Sequence, residues 1–274
     1  MIKKVIQIAD VHIRPYQRLD EYSEQLTKVT ELIKDIIAPY EKDEVRIVLC
    51  GDIVHSKTSI SNELIAFVST WIRELEGLAE VIVYAGNHDL IVGNNSRMDS
   101  ITAIFTAANY QNSVYMDAYL NYDSGIVVED NVTWALYSIF ADYRRPDIES
   151  AIEQYPDNIV LGLYHGDVVG AVMANGVMVD SGADKDTFSG CDFVLAGHIH
   201  KRQVLKRGDT EIVYPSSLIQ QNFGETITQH GFAVWDLEKR KYEFVDVPTD
   251  YSLYDFEIKG IEDLDNDKEI LKNY

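Results

Sequence analysis

Cysteine is scarce in this chain: Cys50 and Cys191 are the only two in 274 residues. They stand far apart beside apolar runs and fit neither a disulfide framework nor a thiolate metal motif. Both read as reduced and buried, as in a cytoplasmic protein. Basic residues are scarce too, 24 lysines and arginines against 45 acids, and the formal net charge of −21 excludes a globally basic nucleic-acid-binding face. Two bound divalent cations would lower the deficit only to about −17 (−21 + 4), so affinity for a polyanion has to come from a local site or from a partner. No apolar stretch reaches the roughly 18 residues of a membrane span. Met1 to Ala9 reads as a strand entering the first motif, not as a leader. There is no internal repeat, low-complexity tract or heptad run. What remains is a globular chain, 46% hydrophobic, long enough for one large domain or two small ones.

Histidine, by contrast, is concentrated. Six of the seven fall in five short motifs: ADVH (Asp10, His12), GDIVH (Asp52, His55), GNHD (Asn87, His88), YHGD (His165) and GHIH (His198, His200). Each motif follows an apolar, β-branched run: Val5 to Ala9, Arg46 to Cys50, Val81 to Ala85, Ile159 to Tyr164 and Phe193 to Ala196. Such runs read as buried strands, and ligands of α/β sheets gather beyond the carboxyl ends of strands. Imidazole, carboxylate and carboxamide are the donors a pair of hard or borderline divalent cations requires. Singly, each motif has an ordinary reading: Asp52 as a turn aspartate, His165 as a hydrogen-bonded strand-end histidine. Together, five strand ends bearing metal-ligand types point to a two-metal hydrolase. Asp52, short and doubly accepting, suits a bridge, Asn87 offers a neutral oxygen, and His88 a group able to donate a proton.

Helical periodicity occupies Gln17 to Ala38 and Asn62 to Leu75, so the first half is built of β-α-β units. From Gly125 further strands are expected at Gly125 to Glu129, Val132 to Tyr137, Glu211 to Tyr214, Gly231 to Leu237 and Tyr242 to Val247. Two sheets stacked face to face bury all of these runs. The expected architecture is a four-layer α-β-β-α sandwich of two mixed β-sheets flanked by helices. The stretch Asp255 to Tyr274 carries seven acids against three lysines and reads either as the start of a second domain or as a solvated tail.

The order D-x-H, GD, GNHD, H and GHxH resembles the calcineurin-like metallophosphoesterase superfamily, over Ile2 to about Val247. Within it, GDIVH with His55 three residues after Asp52, GNHD, and the later YPSSLIQQNFGE resemble the Mre11/SbcD DNA nucleases, whereas protein phosphatases would show GDxVDRG and GNHE. The resemblance implies one metal at Asp10, His12, Asp52 and His200 and another at Asp52, Asn87, His165 and His198, with Asp52 bridging. It implies His88 as the catalytic histidine and His55 as a residue arranging the nucleic-acid phosphate. It divides the chain into a nuclease domain, 1–248, and a linker or the start of a truncated accessory (capping) domain, 249–274. Ser216 departs from the glycine of YPGS, and Arg14 and Pro15 from a common Leu-Gly.

The function so implied is two-metal hydrolysis of DNA phosphodiesters in end processing, repair or recombination. Manganese is the favoured metal, with iron, cobalt and zinc compatible with the same donors. A Rad50/SbcC-like ATPase is the implied partner, able to supply the basic track this acidic chain lacks. A homodimer through Arg97 to Tyr110, with apolar Met98, Ile101, Ile104 and Phe105, competes with an ordinary core-facing helix there. Five basic residues near the motifs in sequence, Arg14, Lys57, Arg97, Lys201 and Arg202, are candidates to guide phosphate. Two other functions fit the same residues: hydrolysis of a small phosphoester, and a non-catalytic DNA-end scaffold, against which the intact ligand set argues.

Overall fold

Alternating apolar positions force the strands of this chain into two sheets with buried faces on both sides. The computed structural model describes residues 1–14, 17–57, 59–94 and 96–254; the stretch 255–274, and with it the reading of a second domain or tail, lies outside them. The first sheet contains the parallel strands β1 (Lys4–Ile8), β2 (Val45–Cys50), β3 (Glu80–Tyr84) and β4 (Ser113–Tyr115). The second is built on β5 (Gly125–Glu129), β6 (Val132–Tyr137), β7 (Ile159–His165), β8 (Phe193–Gly197), β9 (Gln203–Arg207) and β10 (Thr210–Tyr214), in the order β5-β6-β7-β8-β10-β9. The antiparallel pair β11 (Gly231–Asp236) and β12 (Lys241–Asp246) returns to the first sheet beside β1. Both sheets are mixed, and they stack as a sandwich flanked by helices.

The outer face of the first sheet is covered by α1 (Leu19–Ile37), α2 (Asn62–Leu78) and α3 (Ser100–Ala108). Apolar residues at helical spacing explain the packing: Tyr22, Leu26, Val29 and Ile33 of α1 and Leu64, Val68 and Ile72 of α2 are buried against Ile6, Ile47 and Val81. Ser61 starts α2 by accepting from Leu64 N at 3.2 Å. In α3, Ile101 and Ile104 point into this same core, while Met98, just before the helix, is exposed. With Phe105 also packed, partly buried, on this core, the core-facing reading accounts for three of the four apolar residues offered above for dimerisation.

Between the sheets lies a second apolar layer that includes Val5, Val48, Tyr84, Trp134, Leu163, Leu195 and Trp235. Polar side chains cross it, Gln7 among them. Gln7 donates through Nε2 to Ala196 O (3.1 Å) and Val213 O (2.9 Å) of the second sheet and accepts from Trp235 Nε1 (3.0 Å). Nearby, Tyr84 OH donates to Leu195 O at 2.6 Å. These bonds fix the relative position of the strand ends that carry the motifs.

The fourth layer completes the expected sandwich, with less helix than the layer on the first sheet. The outer face of the second sheet is covered by the seven-residue helix α4 (Ile148–Gln154) and by the irregular connection 166–192, whose Val168, Ala171, Val179 and Phe188 pack on Tyr137, Val160 and Tyr214. That connection satisfies its backbone in tight turns, such as Met173 N to Val177 O and Val179 N to Ala171 O, both 2.8 Å, instead of in a helix. The short strands β4 and β9 were not expected; three residues, or a run as polar as QVLKR, carry too little alternation to be read.

Replacing Gln7 by Leu leaves the Trp235 indole N–H without its acceptor inside the core. Gln7→Leu is expected to lower unfolding free energy by about 1–3 kcal/mol, read as a shift in the urea midpoint at constant slope; an unchanged midpoint would show that the crossing amide holds nothing together.

Candidate metal centre

All five motifs meet at one edge of the sandwich. Asp10 and His12 follow β1, Asp52 and His55 follow β2, Asn87 and His88 follow β3, His165 ends β7, and His198 and His200 follow β8. The first sheet thus contributes three loops and the second two. Asp10, His12, Asp52 and His165 are almost entirely buried, whereas His198 and His200 are partly open to the cleft.

The donor atoms form two adjoining groups, Asp10, His12 and His200 in one and Asp52, His165 and His198 in the other, each with its atoms within 4.8 Å of one another. Asp52 reaches both: Oδ2 lies 3.4 Å from His12 Nε2, and Oδ1 3.3 Å from His165 Nε2. Asn87 Oδ1 closes the second group, 2.7 Å from His198 Nδ1 and 3.2 Å from His165 Nε2. In the first, His12 Nε2 and His200 Nε2 are 3.0 Å apart. Nitrogen and oxygen donors at these separations, with no thiolate among them, fit a pair of divalent cations. Cys50, the nearest thiol in sequence, is buried and its thiol faces Val48 O, and burial pushes its pKa up.

Hydrogen bonds set which nitrogen of each ring is free. His165 Nδ1 is 2.8 Å from Cys50 O, and His200 Nδ1 is 2.7 Å from Glu225 Oε1. A carbonyl or carboxylate oxygen only accepts, so both Nδ1 atoms carry the proton and both Nε2 lone pairs face the donor groups. His88 Nδ1 likewise donates to His55 O at 2.7 Å, and its backbone N–H donates to Asp52 Oδ1, also at 2.7 Å. The His88 and His55 rings stack with centroids 5.1 Å apart.

The electrostatics call for positive charge. Burial raises the Asp10 carboxyl above its ordinary range, which marks the cost of an anion there. Burial would also raise Asp52, but the charge and hydrogen bond of His165, then His12 and the His88 N–H, outweigh it and hold Asp52 well below the usual carboxylate range. In the same exchange, burial opposes a proton on His165, yet Asp52 and Asp10 raise it to about 9. Burial keeps His12 well below its normal value, and burial with Arg14 and His88 lowers His55 to about 4. Both rings are therefore neutral at pH 7.

Holding these groups together requires unusual backbone. Asp10 (φ 52°), His12 (51°), Asp52 (52°) and His198 (98°) are left-handed or nearly so, a strain concentrated at functional sites. Gly86 has no room for a side chain: a Cβ there would collide with the Asp52 carboxylate and lie 2.6 Å from the His165 ring. Ser216, which departs from the glycine of related sequences, sits at φ 103°, a conformation that favours glycine.

Several supporting residues escaped the reading of the sequence. Glu225 is buried and accepts from His200, Ser217 Oγ (3.0 Å), Gln221 N (2.9 Å) and Asn222 Nδ2 (2.6 Å). Asp89, the last residue of GNHD, accepts from Gly86 N at 2.9 Å and Val54 N at 3.1 Å, tying two ligand loops together. Only its place in the motif signalled it. Tyr214 OH donates to Gly166 O at 2.8 Å, so Tyr214 and Ser217 both serve the scaffold. Of the five basic residues near the motifs, Arg14 alone lines the cleft beside the donors, a cavity of about 320 Å³ that also borders His55, His88, Gln221 and Asn222. Arg14 Nη2 is 3.3 Å from Gln221 O, and its buried Nε has no hydrogen-bond partner among the described residues. Arg202 instead packs over the Phe244 ring at 4.8 Å.

Two outcomes follow from this geometry. Glu225→Gln, which removes the charge that orients His200, is expected to weaken manganese binding about 10- to 100-fold while far-UV circular dichroism stays that of the parent; parental affinity by titration calorimetry would remove Glu225 from the site. Ser216→Gly relieves left-handed strain and is expected to stabilise by about 1 kcal/mol, read as a higher melting temperature.

Comparison with known proteins agrees with the chemistry of the donors. A protein of Acanthamoeba polyphaga mimivirus, itself uncharacterized, is 33% identical over 257 residues, 91% of this chain but 18% of its own length, so the chain spans under a fifth of that relative. Among solved structures, an archaeal phosphodiesterase is 16% identical (TM-score 0.42, covering 89% of this chain and 99% of its own). The phosphopantetheinyl hydrolase of Mycobacterium tuberculosis is 10% identical (TM-score 0.43, covering 78% and 88%). Likenesses this distant do not bear on substrate. The sequence pattern of the family described as calcineurin-like phosphoesterase matches residues 3–202, which contain every donor of the two groups, and the chain belongs to that family.

Proposed function

We propose that the chain is a phosphodiesterase dependent on two divalent cations, acting on nucleotide phosphodiesters. The observation that carries this reading is the charge of the cleft wall beside the donors. Its basic side chains are one arginine, Arg14, and imidazoles of which His12 and His55 are held neutral. That suits the single charge of a diester better than the two of a monoester.

Asp10, His12, Asp52 and His200 would hold one cation and Asp52, Asn87, His165 and His198 the other, manganese being the metal the resemblance favours. Bound there, two cations would lower the pKa of a shared water and neutralise phosphate oxygens. The chain's own part is positioning and proton transfer. Because His88 Nδ1–H is engaged by the His55 carbonyl, Nε2 is the atom left to hold or deliver a proton at the phosphate or the leaving oxygen. Stacking against His55 keeps that ring in place, and Arg14, with its unpaired Nε, stands ready for a phosphate oxygen.

DNA is the polymeric form of this substrate, and the reading as a DNA nuclease rests on GDIVH with His55 beside His88, the feature shared with the Mre11/SbcD type. In that reading an ATPase of the Rad50/SbcC kind supplies the basic surface, and a homodimer brings two sites to one DNA. A small diester is the second reading, favoured by the net charge of −21, which disfavours a long polyanion.

His88→Asn is expected to bind manganese like the parent and to lose about 10²- to 10⁴-fold in kcat; turnover at the parent rate would refute the role given to His88. Linear duplex DNA, single-stranded DNA, cyclic nucleotides and an aryl diester, each assayed with manganese and again after chelation, separate the two substrate readings. Hydrolysis of none of them with metal present would overturn the phosphodiesterase reading.

A further inference from the structure

Beside the donors lies a second and larger cavity, of about 540 Å³, which shares Asn87 and His198 with the Arg14 cleft. Asn87 and His198 form its inner end, so whatever binds in it adjoins the second donor group. Its size is that of a small-molecule site. Its chemistry is the reverse of the Arg14 side: no lysine or arginine lines it, while two carboxylates, Asp142 and Asp167, do. Val92, Ile139, Tyr143 and Tyr164 supply apolar and aromatic wall.

Two further observations mark this cavity as built. Among the described residues, buried Asp167 Oδ1 has no hydrogen bond; the basic atom facing it is His198 Nε2, at 3.5 Å. An acceptor so placed, at the edge of a polar cleft, is completed by a donor from outside the chain. Asp142 and Tyr143 are consecutive non-glycine residues with left-handed backbone, φ 52° and 55°, held by Tyr143 N to Ser138 O at 2.9 Å. Strain of this kind persists where the surroundings impose it, and here it delivers both residues to the cavity.

We propose that this cavity binds the alcohol portion of the substrate as a neutral, nucleoside-sized group bearing N–H or O–H donors, with Asp142 and Asp167 as its acceptors. The proposal rests on the phosphodiesterase reading and deepens it. A second phosphate is disfavoured beside two carboxylates with no cation between them. The scissile phosphate therefore faces Arg14 and His88, and the nucleoside lies toward β6 and β7. This places a terminal nucleoside of a strand, or one half of a small dinucleotide, in the acidic wing, and directs any continuing polyanion out past Arg14.

The test uses the full chain loaded with manganese and two esters sharing a leaving group, thymidine 5′-(4-nitrophenyl) phosphate and bis(4-nitrophenyl) phosphate. Asp142 touches no donor of the metal groups, so Asp142→Asn is the deciding variant. It is expected to lower kcat/KM for the thymidine ester about tenfold more than for the aryl diester. Calorimetry of thymidine with chelator-treated protein is expected to show weaker binding to Asp142→Asn than to the parent. Equal effects on the two esters, or equal thymidine binding, would overturn the assignment. So would a lower manganese content in Asp142→Asn, which would make the carboxylates a cation site. If the parent hydrolyses neither ester, the phosphodiesterase reading fails by itself, and thymidine binding still decides what the cavity holds.

Discussion

Two buried carboxylates, Asp10 and Asp52, lie among imidazoles where the sheets meet, and balancing their charge away from water governs everything around them. A buried anion without compensating charge is expensive, and partial hydrogen bonding does not remove the cost. Protons on His165 and His200 are drawn in for that reason, both rings being raised against their own burial by neighbouring carboxylates. A divalent cation answers the same demand with more charge in less space, and it leaves the Nδ1 hydrogen bonds of those rings intact. The features that hold a proton here are therefore the features that would hold a metal.

Assembling the cluster opposes what the backbone prefers. Left-handed residues at Asp10, His12, Asp52 and His198 cost about 1–3 kcal/mol each, and they survive because each loop is fastened from behind. Asp89 joins the second and third loops, Asp117 accepts from Ala85 N at 2.8 Å, and His198 N donates to Asp10 Oδ1 at 2.9 Å. Deeper down, Gln7 and Tyr84 lock one sheet to the other. The polar atoms inside this sandwich are thus concentrated directly beneath the site, where register errors of a fraction of an ångström would separate the donors.

What was legible in the sequence follows from the range of the forces involved. Strands β1, β2, β3, β7 and β8 announce themselves as short continuous apolar, β-branched runs, and the donors by residue type immediately after them, so the sandwich and the clustering of seven donors could be read without coordinates. Glu225 could not. It acts on His200 from 25 residues away, and the motif that contains it, YPSSLIQQNFGE, does not say which of its residues meets that ring. Asp142 and Asp167 were invisible for a related reason: their meaning is the shape of a cavity whose walls come from five separate stretches of chain. The packing of segment 166–192 was not legible because it buries its apolar residues without any helical period, through turns that only tertiary packing selects.

Acidity and phosphoester chemistry are reconciled by distance. At physiological salt, charges more than about 8 Å away are largely screened, so a single diester entering the cleft responds to Arg14, the imidazoles and bound cations on one side and to Asp142 and Asp167 on the other. The remaining negative charge acts on anything longer. Each additional phosphate of a polymer must lie on some surface, and the surface of this chain offers it acids, whereas a small diester ends before reaching them. Whether the substrate is a polymer and whether a basic partner is required are consequently one question. A small diester meets only the local charges of the cleft, whereas a polymer also meets the net charge of −21.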